Sequence, residues 1–469
     1  MKIRSSVKRV FAALTITTLA LAACLSFNLI SGHSTSAKSA YNPSILSTAP
    51  AASSSAAMVA AQITGVVMPR TPVYALDTDN TIFVLTPGET SFVRVFRVAD
   101  AQVNANITGI DFRIGDGNNN NLYALTDTGK IYTIGLTAAT LGKATLVSSM
   151  TPAFPSGYQS LFDFNPVLNA IRAIGSDGIN YAVVNSGGNL NSTVVQTSLS
   201  YNPNDVNKGA VPKVAAGAYN NNFIGATVTI FYAIDYNLDT FVTIDPATSG
   251  GSSNTGGGVL RTIGNLVTPS GARINISPTA DVDIYSLASG ANQLVGVSGR
   301  TFFTIDLTQA TPATALGTSK NVVAQGITMG DTGGKLVDLA AAPVSYQAEN
   351  ATQGGGNITE SIFAGFIGTG YVNFTDNAAG GFTEFQVNQN GTQTLIFRYA
   401  NGGAVNRPCN VTVNGASVGT VNFPPTGSFS TYKTVTLPVN LGTGGGFRAL
   451  RVTSTTAAGG PNLDQLSLQ

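Results

Sequence analysis

Short apolar and aromatic runs alternate with polar turns over residues 70–342, and this pattern predicts β-structure. The run Leu122–Leu125 is followed by a polar turn and then by the run Ile131–Ile134. Two strands of about four to six residues around a turn that contains Asp, Asn or Gly are typical of a β-hairpin. The other predicted hairpins pair Val73–Leu76 with Ile82–Leu85, Ile171–Ile174 with Tyr181–Val184, Phe231–Ile234 with Phe241–Asp245, and Gln293–Val297 with Phe302–Asp306.

The hairpins recur roughly every 50 to 60 residues, a spacing close to that of repeated four-stranded sheets. One hairpin cannot bury its own apolar face, but hairpins stacked around an axis can, and a closed ring removes exposed strand edges. We therefore predict a β-propeller-like domain over residues 70–342, with roughly five to seven blades.

Residues 343–469 show the alternation of half-buried strands. Thr383–Val387 alternates polar and apolar residues, and Asn414-Gly415 is a dipeptide that favours a tight hairpin turn. Roughly eight short strands in about 125 residues predict a β-sandwich of the jelly-roll, galactose-binding-like type. The fold class predicted for the whole chain is all-β.

Residues 1–39 have the pattern of an export signal, in which basic residues precede the apolar run Phe11–Ala23. Leu21–Cys24 resembles a bacterial lipobox, which would lipidate Cys24, whereas Ala20–Ala22 is an ordinary cleavage site. An uncleaved anchor helix is the third alternative. Residues 40–69 are rich in Ala and Ser and are interpreted as a spacer. The expected location is secreted or cell surface, with membrane attachment only through lipidated Cys24.

Composition excludes several function classes. Charged residues make up 10% of the 469 residues and the net charge is +1, so the chain lacks the basic excess that binds nucleic acid. His33 is the single histidine, which rules out a His-based triad or a His-rich zinc site. Cys409 is predicted to be a buried, inert thiol. The sequence does not predict the oligomeric state.

An enzymatic role would have to use paired carboxylates, as glycoside hydrolases do. Most aspartates of residues 70–342 fall at strand ends or turns, where Asp accepts hydrogen bonds from backbone amides. We favour this capping role for each of them: Asp77, Asp111, Asp163, Asp235, Asp239, Asp245, Asp283 and Asp306.

Two regions resemble known families. The motifs Tyr346–Ala351, Gly368–Phe374, Phe397–Gly403 and Gly459–Leu466, in this order, resemble the family 6 and family 35 carbohydrate-binding modules. The motifs Gly109–Arg113, Leu161–Pro166 and Gly225–Thr227 resemble domain-of-unknown-function family 4394, whose members look propeller-like. The second resemblance supports the fold and implies no activity.

The first resemblance implies a structural calcium ion where the two ends of the module meet. The matching residues are Gln347, Glu349 and Asp464. Hard cations prefer several oxygen ligands, carboxylates among them. The alternative is that Glu349 and Asp464 are solvated surface carboxylates.

The same resemblance implies a sugar site, in which an aromatic ring packs on the C–H face of a pyranose and amides bind its hydroxyls. We predict that Tyr371, Phe429 and Asn462 form this cleft, with Tyr432 beside them. Phe429 and Tyr432 stand where the family commonly has Trp, and packing of the sandwich is their alternative role. Arg398 would contact an acidic ligand or pair with a carboxylate inside the sheet.

The function expected from these features is that of an exported bacterial protein, without catalytic activity, that attaches to polysaccharide or oligosaccharide through residues 343–469. One alternative is a glycoside hydrolase or lyase that carries a binding module. The other is a cell-surface adhesion protein whose N-terminal domain binds another protein.

Overall fold

The computed structural model describes residues 67–87, 89–98, 103–114, 121–136, 140–151, 154–175, 177–186, 189–244, 257–287, 290–310, 320–328, 335–374, 379–442 and 447–469. The predicted export signal, Cys24, His33, Asp245 and most of the predicted spacer lie outside these residues. Within them, no helix has the length and apolar character needed to cross a membrane.

The described residues before position 342 form strands β1 to β21. In chain order these are Val73–Asp77, Thr81–Leu85, Val93–Arg97, Ile107–Phe112, Asn121–Thr126, Lys130–Gly135, Ala144–Ser149, Leu161–Asn165, Ala170–Ile174, Asn180–Ser186, Asn189–Val195, Ser200–Tyr201, Val214–Tyr219, Phe231–Asp235, Thr240–Ile244, Val259–Val267, Asp281–Ser286, Asn292–Ser298, Thr301–Ile305, Lys320–Thr328 and Leu336–Ala341. A short 3₁₀ turn, Leu307–Ala310, follows β19.

These strands form four-stranded antiparallel units with the orders β21-β1-β2-β3, β4-β5-β6-β7, β8-β9-β10-β11, β13-β14-β15-β16 and β17-β18-β19-β20. The last two units are joined because β16 and β20 pair in parallel. The five predicted hairpins are confirmed as the pairs β1–β2, β5–β6, β9–β10, β14–β15 and β18–β19. In the first unit, β21 comes from the far end of the domain and pairs with β1.

Burial decreases across each unit from its first strand to its last. Every residue of β4, β8, β13, β17 and β21 is buried, whereas β3 and β7 are largely exposed. The five buried first strands contact one another in the cyclic order β21, β4, β8, β13, β17 and back to β21. Gly217 permits this packing, because a Cβ there would lie 2.7 Å from both Leu161 Cδ1 and Phe231 Cζ.

Residues 345–468 form strands β22 to β32: Ser345–Gln347, Thr352–Gly354, Ile358–Glu360, Tyr371–Asn373, Phe382–Val387, Thr392–Ala400, Cys409–Val413, Ala416–Val421, Tyr432–Asn440, Arg448–Ser454 and Asn462–Leu468. One sheet has the order β24-β25-β32-β27-β30 with β22 added to β32, and the other has the order β23-β26-β31-β28-β29. This is the predicted β-sandwich.

The core of the sandwich lies between the two sheets. It contains Phe385, Phe397, Phe423 and Leu450, each at most 2% exposed. Cys409 also lies in this core, as predicted, and burial raises the pKa of its thiol well above the usual range. The additional strands that the sequence did not predict, such as β22–β25, have three residues each, too few to show a periodicity.

Candidate functional site: the loops of the C-terminal sandwich

The loop between β24 and β25 lies over the three side chains predicted to bind calcium. Thr369 donates to Glu349 Oε1 from its backbone N–H (3.0 Å) and from its hydroxyl (3.3 Å). The Ile367 N–H donates to Asp464 Oδ1 (3.1 Å). Because β22 pairs with β32, the start and the end of the module meet here and bring Gln347 near Asp464.

Gly368 is required at the centre of this loop. Its φ of +87° is a conformation that side chains rarely adopt. A Cβ at this position would lie 2.6 Å from Glu349 Oε1 and 2.9 Å from Gln347 Oε1. The glycine therefore lets the loop backbone approach both oxygens.

Two of the three predicted ligands carry oxygens that have no hydrogen-bond partner in the described structure. Gln347 is 2% exposed, and both atoms of its side-chain amide are unpaired. Glu349 Oε2 is also buried and unpaired, and burial raises the pKa of this carboxyl. Buried oxygens without partners are costly, so their presence fits a hard cation that would bind them.

Asp464 is fully buried and pairs with Arg398. The alternative of a solvated carboxylate is therefore wrong for Asp464. Burial raises the pKa of Asp464 to about 6, although Arg398 opposes this shift. Arg398 also donates to the Gly365 carbonyl (2.8 Å), and its guanidinium carbon lies 4.4 Å from the centre of the Tyr432 ring. Of the two roles considered for Arg398, the structure supports pairing within the sheet.

A pair of stacked aromatic rings lies on the loops at one end of the sandwich. Phe429 is half-buried and Phe363 is 37% exposed, and their ring centres are 5.2 Å apart with 28° between the planes. The Arg407 guanidinium lies 5.7 Å from the centre of the Phe429 ring, and Arg407 Nη1 donates to the Gly460 carbonyl (2.8 Å). Arg407 is 8% exposed, so the partly exposed ring of Phe363 is the surface of this pair on which a sugar ring can pack.

The remaining predicted cleft residues are placed differently. Tyr371 is fully buried and its hydroxyl donates to Glu360 Oε2 (3.3 Å), so its ring offers no face to a sugar and we remove it from the predicted platform. Tyr432 is half-buried, with Arg398 over its ring. Asn462 is 1% exposed, and its Nδ2 has no hydrogen-bond partner in the described structure.

Sequence reasoning missed Phe363 and Arg407. Phe363 lies in the segment Ser361–Gly365, where two apolar residues occur between polar and glycine-rich stretches. Only the fold brings this segment against Phe429, which is 66 positions away along the chain. Arg407 precedes a proline in a loop and gives no sequence signal.

A second group of polar side chains lies inside the N-terminal domain. Carboxyl oxygens of Asp111, Asp163 and Asp283 lie within 4.8 Å of one another, and all three side chains are buried. The predicted capping role is correct for Asp77, which accepts hydrogen bonds from the N–H groups of Asp79 and Thr81. Asp235 and Asp306 likewise cap their turns. Asp111, Asp163 and Asp283 also accept backbone N–H groups, as predicted. Their predicted position at strand ends or turns is wrong, because they lie within the buried first strands and accept from a neighbouring strand.

The two-sheet sandwich, with the partly exposed ring of Phe363 at its loops, has the features of a carbohydrate-binding module. The family model described as "Domain of unknown function (DUF4394)" matches residues 71–328, more than half of the chain, so the chain belongs to this family. A second family model, described as "Alpha-galactosidase, CBM13 domain", matches residues 379–468.

Similarity to curated proteins is confined to part of the chain. An exo-beta-D-glucosaminidase of Amycolatopsis orientalis is 43% identical over 129 residues, which are 27% of this chain and 12% of that protein. Endo-1,4-beta-xylanase B of Cellvibrio japonicus is 41% identical over 108 residues, 22% of this chain and 18% of that protein. The chain thus spans less than a fifth of the length of these relatives.

A solved structure of a family 35 carbohydrate-binding module from Clostridium thermocellum is 41% identical. It covers 27% of this chain and 98% of its own, with a TM-score of 0.26.

Proposed function

We propose that this chain is an exported protein that binds polysaccharide through its C-terminal module without acting on it. The observation that carries the proposal is the stacked Phe363–Phe429 pair, in which the Phe363 side chain is 37% exposed. Stacking on phenylalanine supplies less contact area than tryptophan would, so we expect modest affinity. The export signal over residues 1–39, the spacer over 40–69 and a secreted or cell-surface location, with or without lipidated Cys24, are parts of this proposal.

The proposal includes a structural calcium ion held by Gln347, Glu349 and Asp464. The unpaired oxygens of Gln347 and Glu349 support it. The ion would supply positive charge that fixes the first and last strands of the module together with the loop at Gly368. Asp464 already shares its charge with Arg398, so Gln347 and Glu349 would contribute the oxygens that the fold leaves unpaired.

For the N-terminal domain we propose a propeller of five blades, one for each four-stranded unit. The cyclic contacts of the five first strands and the pairing of β21 with β1 support this arrangement. Such closure leaves few strand edges unpaired. The parallel pairing of β16 with β20 would then be a local fusion of the last two blades.

The alternative of a glycoside hydrolase draws on the names of the curated relatives, which match 22 to 27% of this chain. A hydrolase needs two carboxyl groups on either side of a bound sugar. Asp111, Asp163 and Asp283 are each at most 3% exposed, which leaves no room for a sugar between them. We therefore favour binding without catalysis.

Replacing Phe429 by Ala should weaken binding to the best polysaccharide ligand by about tenfold or more, because the stacking surface is lost. Native affinity electrophoresis against a panel of plant, fungal and bacterial polysaccharides measures this. Val195→Ala, which removes a side chain that is 58% exposed on β11, is the control and should bind as the unmodified protein does. Equal retardation of Phe429→Ala and the unmodified protein would contradict the proposed platform.

Calcium should raise the melting temperature of the chain, and a chelator should reverse this. At a calcium concentration of about 100 times Kd the gain is about 2.7 kcal/mol. Glu349→Gln, which removes a charged oxygen ligand, should lose most of the gain, whereas Glu384→Gln on β26 should keep it. Scanning calorimetry with and without calcium measures both. A melting temperature that calcium leaves unchanged would exclude the structural ion.

A further inference from the structure

Five buried carboxyl groups connect the first strands of the N-terminal units, and we call this set the carboxyl ring. They belong to Asp111, Asp163, Asp281, Asp283 and Asp338, each at most 6% exposed. Four of the five neighbouring pairs of first strands are bridged by a hydrogen bond in which one of these carboxyls accepts a backbone N–H of the other strand. The donors are Ile110 to Asp338 (2.8 Å), Phe164 to Asp111 (2.8 Å), Tyr219 to Asp163 (3.0 Å), Leu339 to Asp281 (3.1 Å) and Ala341 to Asp283 (2.7 Å).

The same geometry makes full ionisation of the carboxyl ring costly. Burial removes water from each carboxylate, and oxygens of Asp111, Asp163 and Asp283 lie within 4.8 Å of one another. Like charges at this separation in a dry interior repel strongly, and such groups share protons rather than all ionise. A protonated carboxyl keeps a carbonyl oxygen that still accepts the backbone N–H, so proton uptake preserves the bridges.

The charged groups that act on the carboxyl ring are mainly its own members. Asp281 and Asp283 raise the pKa of Asp111, Asp163 and Asp338, in addition to the larger effect of burial. The other titratable or charged side chains on or next to these strands are engaged elsewhere. Tyr219 accepts a bond from Arg172, Arg113 donates to Asn169, and Tyr285 accepts from the Arg70 N–H.

We propose that the carboxyl ring holds shared protons and thereby makes the stability of the closed N-terminal domain depend on pH. This domain is then more stable in mildly acidic than in alkaline solution. Burial raises the pKa of Asp283 to about 6, and it raises the pKa of the other four well above the usual range. Unfolded aspartates titrate near about 3.9. The folded state therefore keeps protons that the unfolded state has released, and stability falls as pH rises from about 4 through about 6 and beyond.

The test is scanning calorimetry of the full chain between about pH 5 and about pH 8, with a chelator present, for the unmodified protein and Asp163→Asn. We expect the melting temperature of the unmodified protein to fall by about 3 °C or more over this range. Asn at 163 keeps an oxygen for the Tyr219 N–H but cannot ionise. The variant should therefore show a smaller fall and a higher melting temperature than the unmodified protein at about pH 8.

Asp306→Asn is the matched control, because Asp306 is exposed and caps the N–H of Thr308 outside the carboxyl ring. Its melting temperature should fall with rising pH as steeply as that of the unmodified protein. Infrared spectra of the unmodified protein at neutral pH should show the carbonyl band of protonated carboxylic acid, which requires no variant to fold. A melting temperature independent of pH together with the absence of this band would overturn the proposal. So would stabilisation by calcium that Asp163→Asn abolishes and Glu349→Gln retains, since the carboxyl ring would then hold a metal ion.

Discussion

Replacing Asp464 by Asn should lower the free energy of unfolding of the C-terminal module by about 3 kcal/mol in the presence of a chelator. Asp464 is fully buried, and its carboxylate is the charge partner of Arg398, whose side chain is 24% exposed. Asn keeps an acceptor for the Ile367 N–H, so the loss reports mainly the uncompensated arginine. Urea denaturation followed by far-ultraviolet circular dichroism measures it, since the chain has no Trp to serve as a fluorescent reporter.

Glu384→Gln provides the matched control for this ion pair. Glu384 Oε2 pairs with Arg451 Nε at 2.7 Å on the second sheet of the module, and the two side chains are 19% and 41% exposed. Because solvent screens this pair, Glu384→Gln should lower the free energy of unfolding by about 1 kcal/mol or less. If Asp464→Asn and Glu384→Gln lowered the free energy of unfolding equally, burial of Asp464 would not explain the stability that its ion pair contributes.

Replacing Phe423 by Ala should destabilise the module by about 4 kcal/mol, the largest loss expected of any change considered. Its side chain is fully buried and packs edge-on against Phe397 and Tyr399, with ring centres 5.9 and 4.9 Å away. Its carbonyl also accepts a bond from Asn401 Nδ2 (2.8 Å), in the loop next to Phe429. Polysaccharide binding should therefore weaken together with stability.

Phe363→Ala removes the same atoms from a side chain that is 37% exposed, so the free energy of unfolding should fall by about 1 kcal/mol or less. It should nevertheless weaken polysaccharide binding, because Phe363 stacks on Phe429. A small stability loss with a large affinity loss would separate the surface role of Phe363 from the core role of Phe423. Equal stability losses would show that exposure does not distinguish the two rings.

The strands of both regions were readable in the sequence because their patterns are local. Runs such as Leu122–Leu125 and Ile131–Ile134 are apolar at nearly every position, as expected of strands that are buried on both faces. Asn414-Gly415 predicted a tight turn, and both residues have the positive φ that such a turn requires.

The candidate sites were predicted only in part. The motifs identified Gln347, Glu349 and Asp464, which the fold brings to one loop, but they did not reveal that Asp464 is the partner of Arg398. Tyr371 was predicted as a platform from its position after a glycine turn, yet its ring faces the interior. Which face of a short strand is buried depends on the opposite sheet, and no local pattern encodes that in three residues.

By itself, the sequence determined the all-β class, the five hairpins and the sandwich, because hydrophobic periodicity and turn residues act over a few neighbouring positions. The tertiary structure alone decided how residues far apart meet. It paired β21 with β1 and stacked Phe363 on Phe429. It also placed carboxyl oxygens of Asp111, Asp163 and Asp283 within 4.8 Å of one another, where the sequence predicted ordinary turn caps. Burial and charge repulsion depend on these distances in space, and separation along the chain does not set them.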